Sequence, residues 1–460
     1  MRSLRDTTHA LDTGLAVIRQ RFSIPPTFPA EVLAAADVAA RSRPTDHVDR
    51  TGWPFVTLDP EASTDLDQAF TIDQAGDDLL LHYAIADVAS FVRDGDPVDA
   101  EAWRRGTTIY LPDAKVGLYP PVLAEGAASL LPDGPRPAIV FHVRVDPSGA
   151  ATLDGAEKAI IRSRAKLAYD RVVESELPAR FAELAWRVEA AEAARGASAV
   201  DPPEQVVERN THGYRLSFRP RLLAESQNAA MSLATNIAVA RALLQAHTGL
   251  FRVLAAPDPG AERRLRHTAV AFGLQWPKGT PLEQYTRTLD PNDPRQAAFL
   301  LAVRRAGGHA EYATYQPGVV PWHAAVEATY AHATAPLRRL ADRYVVQTAL
   351  AVANGRPVPD AVQAALARLP DAMSKAAAHA GQIDRSVIEL AEAVMLQGRE
   401  GQTFAAVVID DDEDTSRVQL CDVAVVTKVL AHGLHPGDAL RVRLVSADPT
   451  QAVAHFERVA

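Results

Sequence analysis

Residues 55–69 read Phe-Val-Thr-Leu-Asp-Pro-Glu-Ala-Ser-Thr-Asp-Leu-Asp-Gln-Ala, and they decide how the rest of the chain is read. A short apolar run, Phe55, Val56 and Leu58, marks a strand end. Asp59, Asp65 and Asp67 then fall within nine positions. Three carboxylates on so short a turn repel one another unless a cation sits between them. Hard oxygen donors suit Mg²⁺, with Mn²⁺ as a substitute, far better than zinc. The spacing does not fit a calcium loop of the EF-hand type, which needs a glycine at its sixth position and a glutamate at its twelfth. A solvated acidic turn is the plain alternative.

The bulk properties narrow the field. At 460 residues the chain can form two or three domains, and 47% hydrophobic with 23% charged residues is ordinary for a globular protein. The net charge of −9 repels polyanions overall, so a nucleic acid would have to be drawn in by a local basic lining. The single cysteine, Cys421, excludes a disulfide framework and zinc-finger spacing, which fits a cytoplasmic protein. With no 18-residue apolar run and no leader pattern, neither a membrane span nor a signal peptide is expected.

Outward from the acidic stretch, residues 1–50 predict a small helical domain. Leu11, Leu15, Ile18 and Phe22 fall at near-helical spacing up to Pro25-Pro26, and a second helix from Pro29 to Arg41 offers Val32, Leu33 and Val38 as its buried side. Such a pair is either a helix-turn-helix-like cap or a plain helical pair. Apolar runs at 79–87 and 138–145 predict buried strands, and Arg104, Arg105 and Tyr110 between them read as a loop that could grip phosphate and stack a base. Taken by itself, a tyrosine such as Tyr110 is more often a core aromatic. Helices are expected to dominate from about 165 to 400, at Asp170–Arg195, Ala224–His247, Thr334–Val352 and Asp360–Gly398. Five short strands after residue 400 suit a small barrel of the oligonucleotide-binding (OB) type. Phe404, Arg417, Lys428, Arg441 and Arg443 are its candidate nucleic-acid contacts, each equally able to be core or plain surface, while Asp410–Asp414 reads as a solvated loop.

A second group of residues has the complementary charge. Thr334 is a natural N-cap with Pro336 in the first turn, which would put Arg338 and Arg339 at the positive end of a helix. Cations there cost ~0.3–1 kcal/mol each unless an anion is bound. Free N–H groups plus two guanidinium groups make a phosphate grip; the plain alternative is that Asp342 and nearby acids neutralise the pair on a wet surface. An acidic metal site and a cationic helix start together ask for a phosphodiester.

In five motifs the chain resembles the ribonuclease II (RNB) family of exoribonucleases: TLDPEASTDLDQAF, YAIADVASFV, RRGTTIYLPD, LYPPVLAEGAASLLP and YAHATAPLRRLADRY, in the family's order. The resemblance covers about 53–400, and a terminal barrel is its usual companion. It implies an α+β fold of three parts. These are a small helical N-terminal domain (1–50), an RNB catalytic domain of sheet and surrounding helices with a central channel (51–399), and a C-terminal OB-fold barrel (400–460). It also implies hydrolytic 3′→5′ degradation of single-stranded RNA to nucleoside 5′-monophosphates, leaving a short oligonucleotide, by a monomer needing no protein partner. Asp59, Asp65 and Asp67 would be metal-site aspartates, Tyr110 would stack the terminal base, and Arg338 would hold the scissile phosphate. Arg339, Arg105 and Lys428 are further expected RNA contacts.

The chain departs from the pattern at Gln68, where the family carries a fourth acid, which defines a branch with Asp-Leu-Asp-Gln in the metal motif. A glutamine amide oxygen ligates only as a neutral dipole, so Gln68 is expected as a weak metal ligand and the number of ions, two in the usual phosphoryl-transfer arrangement, is open. His332 is expected to pack or position. The rival reading is a non-catalytic RNA-binding protein with a decayed RNB site.

Overall fold

The computed structural model describes the chain except residues 1–3, 6–9, 198–203, 211–212, 220, 257–258, 291–292, 307, 412–414, 422, 424, 431–432 and 460. Its centre is a five-stranded sheet in the order Val48–Asp49, Ala151–Ile161, Arg136–Val145, Asp78–Ala86, Gln68–Ala75. All neighbours are antiparallel except the first pair. Asp78–Ala86 lies between two partner strands and buries nearly every side chain, as an apolar run with material on both faces must. Gly76, at φ +67°, makes the tight reversal between Gln68–Ala75 and Asp78–Ala86, a backbone region that costs glycine nothing.

The helix Leu223–Gln245 packs on the sheet through Met231, Ala234, Ala238 and Leu243, with Gly249 at φ +109° just beyond its end. Behind the edge of the sheet, Thr57–Asp59 pairs in parallel with Lys166–Ala168, and Val56 bridges Phe70. These two tethers fix both ends of the acidic loop 60–67. The helix Leu340–Ala353 is buried along its first two turns, and the 37-residue helix Asp360–Leu396 runs from the sheet domain to the terminal barrel.

The barrel is closed, in the order Thr403–Asp411, Thr415–Leu420, Val426–Leu430, Val453–Val459, Ala439–Asp448. Closure is by a parallel contact, Val429 against Phe456. Alternate residues, Phe404, Ala406, Val408, Val418, Leu420, Val442 and Leu444, fill its interior together with the last turns of Asp360–Leu396.

Several expectations change. Phe404 is a core residue stacked edge-on against Phe456, because it points inward on its strand, and so cannot face RNA. Leu33 and Val38 are exposed while Val32 and Ala36 are buried, so the second N-terminal helix (Ala30–Ala39) is rotated from the expected face. The two N-terminal helices do not share one core. Ala10–Arg21 packs on Asp360–Leu396, and Ala30–Ala39 packs on the sheet domain. The helix expected from Asp170 starts at Phe181, after Pro178 and the left-handed Arg180 (φ +70°). The region 165–400 also holds strands, notably the hairpin Glu204–Asn210 with Gly213–Arg219. Asp410 and Asp411 belong to a barrel strand, and 412–414 lie outside the described residues.

Candidate active site

The expected helix start at Thr334 is displaced. Helix begins at Leu340, and residues 330–339 form an irregular loop in front of it. Buried Asp342, in the first turn, explains why. Its Oδ2 accepts the amides of Thr334 (3.1 Å) and Ala335 (2.8 Å), and both its oxygens bind Arg339. The carboxylate thus folds the loop back on the helix, neutralising a buried guanidinium in a bidentate pair. Arg339, expected as an RNA contact, is thus engaged by Asp342 through both carboxylate oxygens. Arg338 is its opposite, with a 43% exposed side chain and a backbone carbonyl clamped by the Thr108 amide (3.0 Å) and the Thr107 hydroxyl (2.9 Å).

The acidic loop meets this loop directly. Asp67 is buried, and its Oδ1 accepts the Leu337 amide at 2.7 Å, while Arg338 Nε lies 3.5 Å from its Oδ2. Burial pushes the Asp67 carboxyl up to about 8, only partly offset by Arg338 and that amide. Burial likewise pushes Asp59 up to about 7, again opposed by Arg338, with Asp65 adding to the rise. Asp59 Oδ2 is sealed from solvent with no hydrogen-bond partner. A buried unpaired carboxylate is costly unless a cation joins it. The one orphaned oxygen, Asp59 Oδ2, and the carboxylates of Asp65 and Asp67 beside it fit a hard divalent ion held by all three. Among the described residues no three acidic, His or Cys side chains already converge on a single coordination point.

Gln68, expected as a weak metal ligand, is hydrogen-bonded at both ends of its amide. Its Oε1 accepts the Tyr83 hydroxyl at 2.5 Å, and its Nε2 donates to the Thr334 carbonyl at 2.6 Å. The amide ties the acidic strand to the 330s loop, a task a carboxylate could not do because it has no donor. Asn236 supports the same loop by accepting the Ala333 amide (2.9 Å). His332 is held neutral, its pKa driven well down by burial and then by Arg339 and Arg252, and its Nδ1 meets the Tyr312 hydroxyl at 2.9 Å.

Asp65 and Tyr110 complete the site. The short ribbon Ile109–Tyr110 with Lys115–Val116 sets Tyr110 opposite Lys115. Tyr110 is 53% exposed, with its hydroxyl 3.5 Å from Asp65 Oδ2, so its ring is free to meet a ligand. Lys115 binds Asp65 Oδ1 at 2.9 Å and Glu125 Oε1 at 2.8 Å. Neither Lys115 nor Glu125 stood out in the sequence, since an isolated lysine and glutamate ten residues apart carry no pattern. Arg105 lies elsewhere, bound to Glu101 (2.6 Å) and the Gly117 carbonyl, with its guanidinium 3.7 Å from the Phe28 ring centroid. In that position it buttresses the N-terminal segment, away from the acidic loop. Lys428 is exposed on the barrel, across from Arg417 and far along the chain from the acidic loop.

Residues 47–353 match the RNB domain, and residues 402–459 match the RNase II-type exonuclease C-terminal S1 domain. The chain belongs to the RNB family. It is 24% identical to ribonuclease R of Aquifex aeolicus over 97% of this chain and 70% of that one. With ribonuclease R of Escherichia coli it shares 27% identity over 73% of this chain, and it spans only 44% of that relative's length. The same fold is seen in ribonuclease R of Mycoplasma genitalium, solved in complex with ribose-methylated single-stranded RNA, at a TM-score of 0.83 and 20% identity, covering 98% of this chain and 78% of that one. The RNB architecture with its closed terminal barrel is thus this chain's own, and enzymes of the family are metal-dependent. No described helix is long and apolar enough to cross a membrane.

Proposed function

We propose that this chain is a hydrolytic 3′→5′ exoribonuclease that shortens single-stranded RNA to nucleoside 5′-monophosphates and stops at a short oligonucleotide. The observation that carries the reading is the meeting of Asp67 with Leu337 and Arg338, which sets an acidic pocket and an exposed guanidinium side by side. Family membership supports it, and so does the placement of the two oppositely charged loops within one site rather than on separate surfaces. We assign the domains as residues 1–50, 51–399 and 400–460, with the strand threading a channel in the middle part, and the protein as a cytoplasmic monomer.

In this reading Asp59, Asp65 and Asp67 hold Mg²⁺, or Mn²⁺ in its place. When bound, such an ion polarises the phosphate and lowers the pKa of a water. Arg338 donates to the non-bridging phosphate oxygens and offsets the charge that grows on them, a task its planar fork suits better than an ammonium. Tyr110 stacks the terminal base, worth ~1–3 kcal/mol and tolerant of sequence. Buried neutral His332 neither gives nor takes a proton here; it braces the loop through Tyr312. Lys428 on the barrel contributes a phosphate contact at the approach of the strand.

The test is direct. Purified protein is incubated with 5′-labelled single-stranded RNA and Mg²⁺ or Mn²⁺. A receding ladder ending in a short product is expected. RNA retained but never shortened would instead favour a binding protein with a decayed site.

A further inference from the structure

We infer that Lys115 is a built-in cation of this site, its ammonium standing where a second divalent ion would otherwise be held, so that each chain takes one ion. The inference rests on the exoribonuclease reading and deepens it. Asp65 and Glu125 come from different segments, yet their carboxylate oxygens converge on Lys115 Nζ at 2.9 and 2.8 Å. The arrangement is fixed on every side. Glu125 Oε2 accepts the Thr64 hydroxyl at 2.9 Å, one residue before Asp65. Ser129 in turn donates to the Thr64 carbonyl (2.7 Å) and accepts the Leu66 amide (2.9 Å), so residues 64–66 are pinned to the segment carrying Glu125.

Two carboxylates aimed at one point are what a Mg²⁺ or Mn²⁺ ion seeks, at about 2.0–2.1 Å from each oxygen for Mg²⁺. Here a lysine reaches that point first. It stands opposite Tyr110 on the same two-stranded ribbon, and the pair engages both oxygens of Asp65, the lysine on Oδ1 and the phenol at 3.5 Å from Oδ2. The ribbon tip is itself held down, because Asp113 pairs with Arg19 of the N-terminal helix Ala10–Arg21 at 2.5 Å. On the other side of the site one donor has no partner, Asp59 Oδ2, which is sealed from solvent. Gln68, with both amide ends engaged, adds no further donor. The free coordination thus lies toward Asp59, and the Asp65–Glu125 side already carries its positive charge. Lys115 is a positioning residue, acting on the reaction by fixing Asp65 and by its field.

The experiment counts ions. Purified full-length protein is titrated with Mn²⁺, with free ion followed by electron paramagnetic resonance. Wild type and Lys115→Arg are expected to bind one Mn²⁺ per chain. Lys115→Met, which keeps the apolar stem but vacates the ammonium's place, is expected to bind two, and the double variant Lys115→Met, Glu125→Gln one again. Lys115→Met should also turn over RNA with a steeper dependence on Mn²⁺ concentration, which Lys115→Arg restores. Two ions in the wild type, or one in a Lys115→Met variant that melts like wild type, overturns the inference. Should Lys115→Met fail to fold, Lys115→Gln, which also removes the charge, is counted in its place against the same two outcomes. Ion counting needs no turnover, so one ion per chain without RNA shortening would sink the exoribonuclease reading while sparing the assignment of Lys115.

Discussion

The Leu337 amide donates to Asp67 Oδ1 at 2.7 Å, a hydrogen bond joining two residues 270 positions apart. It welds the acidic loop to the loop that presents Arg338, so neither half of the site can shift without the other. The neighbouring clamp works in the same sense, with Thr107 and Thr108 holding the Arg338 carbonyl just before Tyr110 in the chain. Carboxylates, guanidinium and exposed ring are thereby fixed on one rigid frame, which is what precise placement of a scissile bond requires.

That weld makes Asp67→Asn a clean probe. Asparagine keeps the Oδ1 acceptor for Leu337 and removes only the charge. Burial already raises the Asp67 carboxyl to about 8, so the folded protein gains little from its ionised form and the melting temperature at pH 7 is expected to hold or rise. Turnover is expected to fall by more than about 100-fold, since even outer partners of metal ligands are worth 10–100-fold. RNA should still be retained in a gel-shift assay. Unchanged turnover would remove Asp67 from the metal site.

Arg338 and Arg339, adjacent in sequence, are expected to behave in opposite ways. Arg338→Ala removes a half-exposed side chain that no internal ion pair needs beyond Asp67. It should therefore leave stability intact and lower kcat by roughly 10²–10³, as losing a charge-stabilising donor does, with a smaller effect on KM. Arg339→Ala strips the partner from fully buried Asp342, and should cost about 3–5 kcal/mol of stability. If both variants lose kcat equally at unchanged melting temperature, the division of labour drawn from Asp342 is wrong.

Tyr110 is exposed while most large aromatics of the catalytic domain are buried, and its expected role is in grip rather than chemistry. Tyr110→Ala should weaken binding of single-stranded oligonucleotides by ~1–3 kcal/mol and lengthen the final product. Tyr110→Phe keeps the ring and loses only the long contact to Asp65, so its product ladder should match wild type. An identical end product for Tyr110→Ala counts against stacking.

Much of this was legible in sequence because it is local. Strands at 79–87 and 138–145, the terminal barrel and the two charged loops follow from short-range pattern. What stayed hidden depends on distant partners. The helix start slipped from Thr334 to Leu340 because Asp342, a residue that reads as surface charge, is fully buried and captures the Thr334 and Ala335 amides. Gln68 read as a poor ligand, when its amide serves Tyr83 and Thr334, the latter 266 residues away. Arg105 reads as a free cation and is already paired with Glu101. For Arg339 the sequence offers Asp342 as a neutralising neighbour, and that pair forms, buried instead of on a wet surface.

The seam between the catalytic part and the barrel yields a prediction with a pH sign. Glu392, buried near the end of helix Asp360–Leu396, uses one oxygen to accept both the Gln205 amide (2.8 Å) and the Val426 main-chain amide (3.0 Å). These two bonds tie the helix to the hairpin and to a barrel strand. Burial nevertheless dominates and pushes the Glu392 carboxyl up to about 7. Below about 4.5, its ordinary value, the group is protonated in folded and unfolded chains alike and imposes no penalty. Between about 4.5 and 7 the unfolded chain releases the proton that the folded chain retains, so stability falls as pH rises, and above 7 the loss is complete. Glutamine offers the same accepting oxygen and never ionises. Glu392→Gln is therefore expected to match wild type at pH 4.5 and to exceed it by about 2–3 kcal/mol at pH 8, since each pH unit separating the folded and unfolded titrations is worth about 1.4 kcal/mol. Denaturant midpoints of the two proteins at both pH values check this. A difference that is the same at pH 4.5 and pH 8 would mean that Glu392 is already charged in the fold, with its two hydrogen bonds outweighing its burial.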